Sequence, residues 1–325
     1  MALLQFVAAR FMPSLLLALA LPFAPAAAQS YPDRPISLII QFAPGTTTDF
    51  VGRRFAELLG KELGTSVVPV NRPGAGGAIG VGEIARAAPD GYTIGLVNLP
   101  ALAIIPHIQK PAYDPLNDFH HLGVIGPYEY GIYAGAQSPL QTWEDLAAHA
   151  KANGAKVSYG TPGIGTTNHL LMARQGKDLG ADWVHAPFKG DGEIIPNVLG
   201  GHVTMGVGSP GAIVPQVKSG KLRLLLVTSK DRWRDLPEVP TIQEKGFKYF
   251  QGSFLSLAGP AKLPGPIKQR LDAAVRKLLT DPAVIAEMRD KLSTVVVYQG
   301  GSAYASFVRE QHDFYRDFLK TLKLN

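Results

Sequence analysis

The chain has 325 residues, a formal net charge of +6 and no cysteine. Without cysteine there can be no disulfide staple, no thiol catalysis, no Cys-based metal site and no lipid attached at a cysteine. The Lys and Arg residues are scattered, with no long basic run and no basic stripe interleaved with aromatics, so no nucleic-acid partner is expected.

The first 28 residues read as an export signal. Arg10 precedes a nearly apolar run from Ser14 to Phe23, and "APAAAQ" places Ala26 and Ala28 at signal-peptidase spacing. The run is too short to span a bilayer. Cleavage near Ala28 would leave 325 − 28 = 297 residues, a length that favours two domains, in a Gram-negative periplasm.

Strand and helix patterns then alternate. "ISLIIQF" (36–42) reads as a strand, and Val51, Phe55, Leu58, Leu59 and Leu63 follow at helical spacing. "TSVVPV", a glycine-rich link, "GAIGVGEIARAA" and "YTIGLVN" (92–98) continue a β-α-β-α-β order. That order predicts an α/β fold with a mostly parallel sheet. A second series opens with "PYEYGIYAG" as a strand. Thr142 and Asp145 then have capping-box spacing before a helix that stops at Gly154. "KVSYG", "TTNHLLMARQGKDL", "DWVHAPF", "GEIIPNVLGG", "HVTMGVGS" and "LRLLLVTS" repeat the alternation. "FQGSFLSLAGP" (250–260) reads as a returning strand. A last helix from about Ser302 sets Tyr304, Phe307, Val308, Phe314, Phe318 and Leu322 near one face. The predicted organisation is a clamshell: domain one from 29–125 plus 253–325, domain two from 126–252, with the hinge crossed twice.

Two loops stand out. "QFAPGTTTDF" (41–50) and "YGTPGIGTTNHL" (159–170) each pass from a strand through glycine to paired threonines that open a helix. Neither has a Walker lysine, and no Gly-x-Ser-x-Gly elbow occurs. Helix N-termini with free N–H groups and hydroxyls suit anions. Simple capping, with Asp49 complementing the helix dipole, is the competing interpretation. A third turn, "APFKGDGE" (186–193), puts Lys189 and Gly190 before another helix. The eight histidines lack metal-ligand spacing. "NRPGAGGAIG" departs from dinucleotide spacing, so no cofactor is expected.

Taken together, these stretches resemble the Bug-type solute-binding proteins of the tripartite tricarboxylate transporters. The matching pieces include "NRPGAGGAIG", "APDGYTIG", "YDPLNDF", "YGTPGIGTTNHL", "PFKG", "LGGHVTMGV" and "LPEVPTIQEKGF", in the family's order and over nearly the whole mature chain. The resemblance implies a periplasmic binding protein rather than an enzyme, with two α/β domains closing on a small organic carboxylate. It also implies two integral membrane subunits as partners, with the receptor itself a monomer. Candidate ligand-binding residues are Phe42, Gly45, Thr46, Thr47, Thr48, Asp49, Thr161, Gly163, Gly165, Thr166, Thr167, His169, Lys189, Gly190 and Ser209. Phe50, Tyr128, Phe188 and Phe254 join Phe42 as candidates for an apolar wall. Thr46 stands where the family commonly has a second glycine, and Phe188 where tyrosine is common. Two alternatives remain. One is a secreted hydrolase using Ser209 with His169 or His185, which no spacing supports. The other is a soluble receptor for a sensor kinase.

Overall fold

The computed structural model describes residues 31–153, 157–247, 253–292 and 294–322. The export signal with its Ala28 cleavage point, Gly154 as a helix stop, and residues 250–252 of the returning strand lie outside the described residues.

The first series begins with β1 (Ile36–Ile40), α1 (Thr47–Leu63), β2 (Val67–Asn71), a 3-10 turn at Ala75–Gly77 and α2 (Ala78–Ala85). It continues with β3 (Thr93–Asn98), α3 (Leu99–Ala103) and β4 (Phe119–Tyr128). The second comprises β5 (Gly131–Gly135), α4 (Trp143–Asn153), β6 (Ser158–Thr161), α5 (Thr167–Asp178), β7 (Val184–Pro187), α6 (Asp191–Leu199), β8 (Met205–Gly208), α7 (Pro210–Lys218) and β9 (Leu222–Val227). The chain closes with β10 (Ser253–Pro260), α8 (Gly265–Thr280), α9 (Pro282–Leu292) and α10 (Gly301–Leu319).

Two five-stranded sheets result, ordered β2-β1-β3-β10-β4 and β7-β6-β8-β5-β9, within one compact unit. Their topologies match. β1 lies parallel between β2 and β3, as β6 does between β7 and β8. In each sheet the fourth strand, β10 or β5, opposes both neighbours. That strand is the first one laid down after the chain crosses from the other sheet. The sheets are therefore mixed, with one reversed strand in each. "PYEYGIYAG" is not one strand: Pro127 and Tyr128 end β4 in the first sheet, and Gly131 starts β5 in the second. We call each sheet with its helices a lobe.

Local sequence explains the main elements. Ile36, Leu38, Ile39 and Ile40 are all buried, as a parallel strand covered on both faces requires. Val51, Phe55, Leu59 and Leu63 form the buried stripe of α1, joined by Ala56, while Leu58 is half-buried. Each such burial stabilises by about 1.5–3 kcal/mol, against about 1 kcal/mol for a cap, so the stripe fixes where α1 docks. Gly64, at φ 75°, ends it and donates to Gly60 O. Thr142 and Asp145 form the reciprocal capping box at the start of α4. On α10 the buried residues are Tyr304, Val308 and Tyr315. Phe314 is 51% exposed, because the helical phase turns its neighbour Tyr315 to the core instead.

Candidate ligand-binding site

α1 and α5 begin at the carboxyl ends of the equivalent strands β1 and β6, where open α/β sheets bind ligands. Their first turns are built alike. Thr46 Oγ1 accepts from Asp49 N (3.2 Å) and donates to Ala43 O (3.0 Å). Thr166 Oγ1 accepts from His169 N (3.3 Å) and donates to Gly163 O (2.8 Å). The preceding glycines, Gly45 and Gly165, have φ of 83° and 76°, which favours glycine. Gly45 N donates to Asp49 Oδ2 (3.0 Å), and Gly165 N donates to His169 Nδ1 (3.2 Å). Each loop is thus a self-sufficient cap. It leaves the N–H groups of the following two residues, Thr47 and Thr48 or Thr167 and Asn168, with no intrahelical acceptor.

Between these termini lies a small cavity lined by residues of both lobes. Of the sequence candidates, Phe42, Thr46, Thr48, Thr166, Thr167 and Ser209 line it, with Tyr128 and Phe254 among the aromatics. Asn98, Tyr130, Asn168, Asp191 and Ser253 also line it, and sequence reasoning missed them. Tyr128 and Ser253 are paired across β4 and β10 where the chain passes between lobes. Tyr130 and Thr228 exchange two hydrogen bonds at the same place. The floor is thus made of the crossings themselves.

The other candidates sit elsewhere. Asp49 is buried, which alone would push its carboxyl up. Hydrogen bonds from Arg53, Asn71 and Gly45 outweigh this and hold it below the ordinary range, so it serves the cap. His169 and His185 stack at 3.9 Å between ring centroids and line a separate cavity with Tyr159. Burial lowers them to about 4 and about 3, and the charge of His169 adds to the effect on His185. Thr161 Oγ1 lies 2.6 Å from His185 Nε2. Lys189 is exposed, and its backbone N–H donates to Glu193. Phe50 is 42% exposed, and Phe188 packs on the core of the second lobe.

Several candidates instead close the lobes on one another. A Cβ at Gly190 would lie 2.6 Å from Thr46 Cγ2, and one at Gly163 would lie 3.1 Å from Gly76 N. Thr46 therefore spends its hydroxyl on the cap, and its methyl fills the space beside Gly190. Thr47 Oγ1 and Ser209 Oγ are 2.7 Å apart, and Ser209 also donates to Asp191 Oδ2 at 3.1 Å. Ser209 has no histidine partner, because His169 and His185 belong to the other cavity.

Part of the polar lining has no partner within the described residues of the protein. Thr167 Oγ1, Asn98 Oδ1 and Asp191 Oδ1 are buried without hydrogen-bond partners. Burial pushes Asp191 up to about 7, opposed only by Ser209. Among the described lining residues there is no Lys, Arg or His. No group of three or more His, Asp or Glu residues that could hold a metal occurs among the described residues.

Two α/β lobes of matching topology, crossed twice by the chain and meeting over a buried polar cavity, define the clamshell of the periplasmic binding proteins. Residues 51–324 match the family model "Tripartite tricarboxylate transporter family receptor", and the chain belongs to that family. It is 36% identical over 308 residues to the "UPF0065 protein in gbd 5'region" of Cupriavidus necator, covering 94% of this chain and 93% of that one. It is also similar to the structure of the periplasmic binding protein BugD, with a TM-score of 0.84, 32% identity, and coverage of 90% and 98%. An R. palustris protein solved with adipate matches with a TM-score of 0.85, 26% identity, and the same coverage.

Proposed function

We propose that this chain is a periplasmic receptor that captures a small organic carboxylate and delivers it to two integral membrane subunits of a tripartite transporter. The observation that supports it best is the pairing of two self-capped helix N-termini, one from each lobe, over one buried polar cavity. Their spare N–H groups and dipoles favour a carboxylate without any cationic side chain. The hydroxyls of Thr48 and Thr167 supply further donors. The adipate bound by the R. palustris relative is in keeping with this ligand class.

Closure follows from the same geometry. A ligand held by both termini binds the closed arrangement better than an open one and so shifts the population toward it. The lobes that move are those built on the two sheets, and the first crossing falls between Tyr128 and Gly131, slightly later than the boundary at 125/126 expected from the sequence. The receptor acts as a monomer, and Phe42, Tyr128 and Phe254 give the cavity its apolar side. A thermal-shift and calorimetry panel of mono-, di- and tricarboxylates and aromatic acids tests the proposal. Saturable binding of a carboxylate supports it. Binding of a sugar or a metal cation, with no response to any carboxylate, sinks it.

A further inference from the structure

Holding a carboxylate does not require Asp191. The residue opens α6 on the cavity wall and is 4% exposed. Its Oδ2 accepts from Ser209 (3.1 Å), whereas Oδ1 is buried with no partner. Gly208 makes room for it: a Cβ there would lie 2.3 Å from Oδ1. A buried acceptor left unpaired costs about 1–3 kcal/mol, more if it is charged. An unpaired acceptor kept on a residue that lines a binding cavity calls for a donor on the ligand.

Charge decides which donor. The titratable groups that face Asp191 are Tyr128 on β4, Tyr130 in the crossing and Tyr133 on β5, all held neutral by burial. No cationic side chain lines the cavity among the described residues. The two helix termini compensate one carboxylate. A second ligand carboxylate would meet Asp191 in the same buried space, and two like charges there disfavour each other. Building on the carboxylate-receptor proposal, we infer that the ligand carries an ammonium group as well as a carboxylate, and that Asp191 Oδ1 receives the ammonium. The preferred ligands are then amino-carboxylates rather than dicarboxylates of the same length.

Calorimetry on the mature protein at pH 8 tests this with matched acids. The α- and ω-amino forms of butanoate and hexanoate are compared with butanoate and hexanoate themselves, and with succinate and adipate. At least one amino-carboxylate should bind about tenfold or more tighter than both acids of its carbon number. Measured within the Asp191→Asn variant, the amino-carboxylate should bind no tighter than the plain monocarboxylate of the same carbon number. Thermal unfolding checks that the near-isosteric variant folds, and if it does not, the wild-type series decides alone. A dicarboxylate that binds as tightly as the amino-carboxylate overturns the inference, as does an advantage that survives Asp191→Asn. Binding of plain acids with no gain from the amino group defeats this inference but leaves the carboxylate receptor standing. Failure of every acid here and in the wider carboxylate panel defeats both.

Discussion

The Thr47 hydroxyl of the first lobe and the Ser209 hydroxyl of the second lie 2.7 Å apart, both nearly fully buried. Ser209 passes the contact on to Asp191, so one chain of side chains links lobe closure to the cavity wall. A neutral hydrogen bond contributes about 1 kcal/mol net, or about fivefold in a binding constant. Thr47→Val and Ser209→Ala should each weaken binding of the best-bound acid by about that factor. Because the two residues share one bond, the double variant should lose less than the sum of the singles. Full additivity in a calorimetric double-mutant cycle would mean that the bond does not contribute to closure.

Gly190 offers a steric test of closure. Its Cβ position lies 2.6 Å from Thr46 Cγ2 in the opposite lobe, too close for both atoms. Gly190→Ala should prop the lobes apart, raise the radius of gyration seen by small-angle scattering and weaken ligand binding about tenfold or more. Thr46→Ser keeps the capping oxygen and removes the obstructing methyl. Adding it to Gly190→Ala should restore part of the affinity, the remainder being lost to the φ of 154° at residue 190, which side-chain-bearing residues rarely adopt. If the pair binds as weakly as Gly190→Ala alone, the fault lies in the backbone of residue 190 rather than in the contact.

The part of this site legible in the sequence was the part made by local pattern. Gly45 with Thr46 and Gly165 with Thr166 announce helix starts, because capping chemistry acts within four residues. Asp49 and His169 belong to the same motifs. Whether such a side chain turns to a ligand or back to its own loop depends on one rotamer, and here both turn back. Asn98 and Ser253 were out of reach because β10 inserts beside β3 only after the chain has built the whole second lobe. Asp191 was visible in "FKGDGE", but an acidic residue in a first helical turn is ordinary. Only the burial of its Oδ1 against Gly208 sets it apart. The start of β4 carries no strand signal, because "FHHLGVIG" is buried at most positions and does not alternate; only Pro127 and Tyr128 of that strand fall within "PYEYGIYAG".

Asp191 should also leave a mark on stability as a function of pH. Burial raises its pKa from 3.8 to about 7, so between those values the folded state holds a proton that the unfolded state has released. Stability from this group is therefore fully present below pH 4 and is lost as pH rises toward 7. The shift of about 3 units corresponds to at most about 4 kcal/mol. Asp191→Asn does not titrate. Without ligand, its stability relative to wild type should climb between pH 4 and pH 7 and stay level above. Urea unfolding of both proteins across that range measures the difference. A flat difference would show that Asp191 is ionised at no cost.

The stacked pair His169 and His185 should work in the opposite direction. Burial holds both neutral, lowering them from 6.5 to about 4 and about 3. The unfolded chain therefore takes up protons first as pH falls. Stability from each is fully present above pH 6.5 and drains away as the solution is acidified toward their folded values. His185→Phe keeps a flat ring against His169 and Tyr159 but cannot charge. It gives up the 2.6 Å contact with Thr161, which should cost about 1 kcal/mol at pH 7. On acidification the order should reverse, with the variant unfolding at a lower pH than wild type. Circular dichroism during acid titration reads both midpoints. An unchanged or higher midpoint in the variant would show that His185 is not among the groups whose protonation drives acid unfolding.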